Sequence, residues 1–308
     1  MERSEVAFGS GGSTCRAWRY RPADLGGDAG AAQPCVVMAH GFGATRDASL
    51  APYAERFAAA RLHVLLFDYR HFGASDGEPR QLLSVRRQLQ DYAAAVEFAR
   101  ALSGVDPARI AVWGTSFSGG HALVTAATVP GVAAAIAQCP MMDGLAAVTN
   151  ILQYAGLGQL LRLTGHGLWD LAQAPFGRAH CIPIVGRPGE LAVMSSEDAD
   201  SGYRALAPEG FRFEVAARIA LAVGFYRPVR YAARVRCPVL VQVCERDSVA
   251  PADAAERVIA KLGSLADAQR YPIGHFEPYF GAPFERSISD QLRFLQRHLQ
   301  PSPPLTTP

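Results

Sequence analysis

A regular alternation of short apolar runs with helix-period segments constrains this chain more than any other feature. Cys35–Ala39, Val64–Phe67, Ile110–Trp113 and Ala133–Ala137 are short, β-branched or small, and end in Gly, Pro or polar residues. Between them, Val85, Leu89, Tyr92, Val96 and Ala99 recur at steps of 4, 3, 4 and 3, which is one face of a helix. Strands that are apolar throughout must be covered on both sides. The alternation therefore predicts an α/β fold with a mostly parallel central sheet and helices on both faces. Ahead of it, Val6–Phe8 and Cys15–Tyr20 alternate polar and apolar residues around Gly9-Ser10-Gly11-Gly12, the pattern of an N-terminal antiparallel hairpin. A loop rich in Gly, Ala and Asp follows from Asp24 to Ala32.

The alternation breaks after Cys139-Pro140 and resumes at Pro238–Val243, a run that reads as a buried strand. The stretch between, residues 141–237, is too long for a loop and predicts an inserted, mainly helical substructure, with helical segments at Asn150–Leu163 and Glu214–Val223. A short strand near Gln269–Tyr271 and a helix over Ser287–Leu299 close the pattern, with Ile288, Leu292, Leu295 and Leu299 on one face. The expected organisation is a core over 1–140 and 238–300, an insertion over 141–237, and a Pro-rich disordered tail over 301–308.

Composition narrows the function classes. The 308 residues carry a formal net charge of +2 with both signs interspersed, so no block of charge suits nucleic acid or an anionic membrane. No apolar stretch reaches the length of a signal peptide or of the roughly 20-residue membrane helix. The six cysteines, Cys15, Cys35, Cys139, Cys181, Cys237 and Cys244, show no CxxC spacing; a reducing, cytoplasmic setting is expected. The eight histidines are dispersed without HExxH, and no metal or cofactor is expected.

Chemistry concentrates first in Ile110-Ala111-Val112-Trp113-Gly114-Thr115-Ser116-Phe117-Ser118-Gly119-Gly120. A buried strand runs into a serine and then directly into a helix. A nucleophile on so tight a turn needs small neighbours two before, two after and three after it; Gly114, Ser118 and Gly119 fill those places around Ser116. A plain Gly/Ser turn is the alternative reading. Further along, His40-Gly41-Phe42-Gly43 follows a strand, and so does Asp68-Tyr69-Arg70-His71-Phe72-Gly73-Ala74-Ser75. After the insertion a strand ends in Cys244-Glu245-Arg246-Asp247-Ser248-Val249-Ala250-Pro251, and Tyr271-Pro272-Ile273-Gly274-His275 follows the last one.

These segments together resemble the α/β-hydrolase superfamily in its serine-nucleophile branch (esterases, dienelactone-hydrolase-like and X-Pro-peptidase-like enzymes), over nearly all of Pro34–Gln300. Ser118 stands where the family's G-x-S-x-G has its last Gly, which makes Ser118 a rival nucleophile; His121 would then occupy a position that wants a small residue, so Ser116 is preferred. The resemblance implies an oxyanion hole from the backbone N–H groups of Phe42 and Phe117, with His40 structural. It makes the Asp68–Ser75 loop a fold marker, departing at His71 from a usual Gly. It implies Asp247 as the acid, over Glu245 and Asp253, and His275 as the base. The chain order Ser, Asp, His is that of α/β-hydrolases.

The expected chemistry follows from proton transfer. His275 takes the Ser116 proton and returns it to the leaving group, while Asp247 fixes the imidazole tautomer and stabilises the imidazolium. The expectation is a serine hydrolase that cleaves a carboxylic ester or thioester through an acyl-enzyme. The alternatives are an acyltransferase or thioesterase of natural-product metabolism, a peptidase, and a non-catalytic scaffold on the same fold. The insertion resembles the family's cap, with Met141, Met142, Tyr154, Trp169, Phe176 and Phe225 as candidate pocket walls; its own small core is the other place for them. The expected partner is a mid-sized apolar acyl substrate, not nucleic acid or membrane, and the chain is expected as monomer or homodimer.

Overall fold

A computed structural model describes residues 1–23 and 32–299. The tail expected over 301–308 and nearly all of the Asp24–Ala32 loop lie outside the described residues. In chain order the elements begin with β1 (Glu2–Ser10), β2 (Ser13–Arg21), β3 (Gln33–Ala39), α1 (Ala51–Ala59), β4 (His63–Phe67), α2 (Val85–Arg100), β5 (Val105–Thr115), α3 (Phe117–Thr128) and β6 (Val132–Gln138). The insertion holds α4 (Gly144–Gln173), β7 (Cys181–Pro183), α5 (Ala199–Leu206), β8 (Glu214–Ala216) and α6 (Ile219–Ala222). Then come β9 (Val239–Cys244), α7 (Ala252–Leu262), β10 (Ala266–Tyr271) and α8 (Gly281–Leu299).

Eight strands form one sheet in the order β1-β2-β4-β3-β5-β6-β9-β10. The β1–β2 hairpin is antiparallel and joins β4 antiparallel; from β4 to β10 every pairing is parallel. Alternate side chains leave a strand on opposite faces, and β3 shows the consequence. Cys35, Val37 and Ala39 enter a core shared with Tyr92 and Val96 of α2, Leu123 of α3 and Val258 of α7. Val36 and Met38 enter a second core with Tyr53 and Phe57 of α1 and Ile288 and Phe294 of α8. A buried polar knot pins α8 to the strand ends: Gln291 Nε2 donates to Gln138 Oε1 at 2.8 Å and to Gln242 Oε1 at 2.6 Å, and Trp113 Nε1 donates to Gln291 Oε1 at 2.9 Å. Partners of this kind remove the cost of burying amides.

Chain order reverses direction across the sheet between β3 and β5, so the loops leaving their carboxyl ends open a crevice. Ligands of open α/β sheets bind at such a switch point. β3 and β5 pair in register from Cys35↔Ile110 to Ala39↔Gly114, which sets His40-Gly41-Phe42 beside Ser116.

The insertion between β6 and β9, called the cap below, stands over those loops. Its long helix α4 is broken at Gly156, whose φ of 77° and ψ of 175° leave the helical region. Asp143 caps α4 by accepting from Leu145 N–H at 3.1 Å and is gripped by Arg227 at 2.8 Å. Lower on α4 the fully buried Asp170 accepts from Arg218 Nε at 2.7 Å and from the backbone N–H of His180 at 2.7 Å. The helix expected over Glu214–Val223 is corrected. Glu214–Ala216 is strand β8, paired antiparallel with Cys181–Pro183, and only Ile219–Ala222 is α-helical. Tertiary pairing overrides the local pattern there: Val215 and Ala216 are buried, and the Ala216 N–H donates to the Gln81 carbonyl at 2.9 Å. No helix among the described residues is long and apolar enough to cross a membrane, and all six cysteines are free thiols.

Candidate active site

Ser116 sits at the strand-to-helix turn with φ 54° and ψ −120°. For a residue with a Cβ this is a strained conformation, and strain of this kind persists only where the surroundings over-determine it. Here they do. The Ser116 N–H donates to the Gln138 carbonyl at 2.9 Å, and its own carbonyl accepts from Gly119 at 3.0 Å and Met141 at 2.9 Å. A Cβ on Gly114 would lie 1.8 Å from the Ser118 carbonyl oxygen, and one on Gly119 would lie 2.6 Å from the Pro140 side chain. The small residues flanking Ser116 are therefore a steric requirement of the turn.

Ser118 is fully buried. Its hydroxyl donates to the His40 carbonyl and shares a 2.8 Å hydrogen bond with Tyr69 OH. It ties the turn to the loop after β3 and makes no bond to His275. His40 is also fully buried: Nδ1 bonds the Gly41 carbonyl at 3.1 Å, and Nε2 accepts from the Tyr69 N–H at 3.4 Å. Burial lowers its pKa to about 4, so it is neutral near pH 7 and serves as a strut. In the Asp68 loop His71 has φ 73°, a backbone that favours the glycine otherwise usual there.

Three groups from distant loops converge on one hydrogen-bonded relay. His275 Nε2 lies 3.0 Å from Ser116 Oγ, and His275 Nδ1 lies 2.6 Å from Asp247 Oδ2. The other Asp247 oxygen accepts from the N–H groups of Val249 at 2.8 Å and Ala250 at 2.6 Å, which fixes the carboxylate. With Nδ1–H donated to Asp247, Nε2 is free to accept the Ser116 proton. Burial alone would lower the imidazole, but the Asp247 carboxylate outweighs it and raises His275 to about 9. Glu245 and Asp253 are not part of the relay; Asp253 pairs with Arg257 on the surface.

Phe42 and Phe117 line one cavity with Ser116, and their N–H groups donate to no other group among the described residues. Phe117 is the first residue of α3, where backbone donors have no partner within the helix. A Cβ on Gly41 would lie 3.3 Å from the Ser116 Cβ, so the two loops approach closely. The cap holds this loop as well: Tyr203 OH of α5 donates to the Phe42 carbonyl at 2.9 Å.

Two cavities flank Ser116. One is lined by Ala44, Leu50, Leu206, His275 and Phe276, the other by Met141, Val148, Ile151, Tyr154, Val249 and others; Phe42 and Met194 wall both. No acidic side chain among the described residues lines either. Of the six candidate pocket residues, Met141 and Tyr154 line the second cavity. Met142 is corrected: it is buried in the core and lines neither cavity. The other three are corrected too. Phe225 is 86% exposed and lines a separate outer groove between α2 and α6. Trp169 and Phe176 are 59% and 73% exposed and line neither cavity. The reason is helical phase: α4 turns Gln159, Leu163, Gly167 and Asp170 inward, and Trp169 falls off that face.

Several contributors are not evident from sequence. Val193 and Met194 come from a segment without regular structure. The cap also grips the loop that carries Asp247: Ser248 Oγ donates to Asp198, Ser196 Oγ donates to Asp198 at 3.1 Å, and Asn150 donates to the Ser248 carbonyl at 2.7 Å. Only the adjacency of Ser248 to Asp247 hints at this.

Comparison with known proteins agrees with the geometry. The family model described as serine aminopeptidase, S33, matches residues 30–275. The quorum-quenching protein AidA of Acinetobacter baumannii (strain MDR-ZJ06) is 42% identical over 296 residues, covering 95% of this chain and 94% of that protein. The thiohydrolase aneE of Aspergillus aculeatus is 41% identical over 110 residues, 36% of this chain and 35% of that one. The crystal structure of the alpha/beta hydrolase GrgF from Penicillium sp. sh18 superposes with a TM-score of 0.81 at 25% identity, covering 97% and 99% of the two chains.

Proposed function

The chain belongs to the serine aminopeptidase, S33, family of α/β-hydrolases, and on that premise we propose that it cleaves a carboxylic ester or thioester through an acyl-enzyme on Ser116. The observation that carries this is the relay from Asp247 through His275 to Ser116, with spacings of 2.6 and 3.0 Å, at the junction of two largely apolar cavities. His275 accepts the hydroxyl proton as Ser116 Oγ attacks the carbonyl carbon. The amides of Phe42 and Phe117 receive the developing oxyanion. The imidazolium then protonates the departing alcohol or thiol, and water activated by the same imidazole releases the acid.

The cavity lined by Met141, Val148, Ile151 and Tyr154 suits an aliphatic acyl chain, because its walls offer little hydrogen bonding and much dispersion contact. The absence of a carboxylate from the described walls disfavours an amine terminus, and so an aminopeptidase substrate, despite the family's description. A thioester substrate is in keeping with the relative named a thiohydrolase. The other cavity, lined by His275 and Phe276, favours a second reading in which an alcohol or amine, rather than water, accepts the acyl group.

A panel of p-nitrophenyl esters and acyl thioesters of rising chain length tests the proposal. Wild-type protein should turn over medium chains with release of the free acid, detected by mass spectrometry. Formation of the new ester or amide in place of the free acid, when an alcohol or amine is added, would favour transfer. No turnover of any member, with the purified protein folded, would contradict both readings.

A further inference from the structure

Helix α4 has two faces that call for partners, and only one of them is used within the chain. Beyond the break at Gly156 it turns Gln159, Leu163, Gly167 and Asp170 into the cap. On the opposite face Leu157, Leu161, Thr164, Leu168 and Leu171 follow one another at steps of 4, 3, 4 and 3. That is the spacing of a helix–helix seam, and all four leucines are more than half exposed. Trp169 and Phe176 lie beside them at 59% and 73% exposure. A helix whose outward stripe is apolar calls for a partner on that side.

The size and charge of this face say what covers it. The six side chains leave on the order of 700 Å² of apolar surface in water, above the roughly 300–600 Å² of the largest patch on a typical monomer and close to the roughly 800 Å² each partner gives to a standard interface. Only two charged residues lie on this half of α4, Arg162 and Asp170. Arg162 hydrogen-bonds Gln159 and the Gly189 carbonyl, and Asp170 is closed by Arg218. A face without charge has nothing to oppose its own copy across a two-fold axis. The exposed cations near it, Arg162 and Arg178, are fewer than the basic flank that holds an amphipathic helix on an anionic lipid surface. We infer that the outer face of α4 is a homodimer interface, in which Leu157, Leu161 and Leu168 pack against the same residues of a second copy of this chain.

The test is sedimentation velocity on the full chain over a wide concentration range, with the double variant Leu161→Glu/Leu168→Glu beside it. Wild type should sediment as a dimer and the variant as a monomer. Because both positions are solvent-facing in the single chain, the circular dichroism and melting temperature of the variant should match a monomeric fold of unchanged helix content. Phe225→Glu, which removes an equally exposed ring outside the seam, should remain dimeric. A wild type that stays monomeric throughout, or a Leu161→Glu/Leu168→Glu protein that stays dimeric, overturns the inference. So does a wild type that is monomeric alone but floats with vesicles of phosphatidylcholine and phosphatidylserine.

Discussion

The turn around Ser116 and the long helix of the cap both depend on glycine, and in opposite ways. At Gly114 a single added carbon would collide with the Ser118 carbonyl at 1.8 Å, while at Gly165 on α4 nothing lies within 4 Å of that position. The same contrast runs through the two regions. Each reacting group in the core is held by several buried bonds: Ser116 by three backbone partners, the Asp247 carboxylate by two amides and an imidazole. The cap is braced internally by two carboxylates, Asp143 with Arg227 and Asp170 with Arg218, and leaves apolar side chains of α4 in water. The relay is over-determined, whereas the outer face of the cap is built from exposed residues that can change with little effect on the fold.

Ser116→Ala breaks this contrast most severely if the proposal is right. It should lower kcat by about a millionfold in an ester assay while leaving the thermal midpoint unchanged. Asp247→Asn should cost up to about 10⁴-fold in kcat by releasing the imidazole tautomer. It should also move the pH profile. His275 is raised from 6.5 to about 9 and is a base only when neutral, so wild-type kcat/KM should climb with pH through that interval and then level. Without the Asp247 charge the climb should shift to lower pH. A wild-type limb at or below pH 6.5 would show that Asp247 does not set the His275 charge.

Stability sharpens the comparison further. Gly114→Ala should destabilise by more than about 3 kcal/mol, since backbone must move to admit the methyl group. Ile151→Ala in the cap should shift the ratio of kcat/KM between longer and shorter acyl chains by about tenfold, with a melting temperature lowered by less than about 4 °C. If stability falls and chain preference does not, Ile151 belongs to the core of the cap and not to the acyl site. The smallest effect belongs to Gly165→Ala, which should stabilise by up to about 1 kcal/mol through helix propensity, read by chemical denaturation.

The unequal legibility of the two regions in the sequence has the same physical origin. The parallel strands can be read because burial on both faces leaves runs that are apolar but for Gln33, His63 and Gln242 along β3, β4 and β9, and the Ser116 turn because steric crowding admits only small neighbours. Asp247 follows β9, a strand of that kind, so its position at the carboxyl end of the sheet is legible too; β10 before His275 is a mostly polar edge strand, and His275 is marked by its Gly-His pair instead. The cap offers no such periodic constraint. Glu214–Val223 looks helical until strand β7 claims Glu214–Ala216, and Trp169 looks like a pocket wall until the phase of α4 is known. Val193 and Met194 reach Ser116 from an irregular segment, where spacing carries no information.

The central claim is that Ser116, and not Ser118, is the nucleophile activated by His275. A fluorophosphonate probe followed by peptide mass spectrometry tests it most directly. The account predicts one adduct per chain, on Ser116, abolished in Ser116→Ala and greatly slowed in His275→Ala. A probe that leaves folded protein unlabelled, or that marks Ser118 in the wild type, would contradict it.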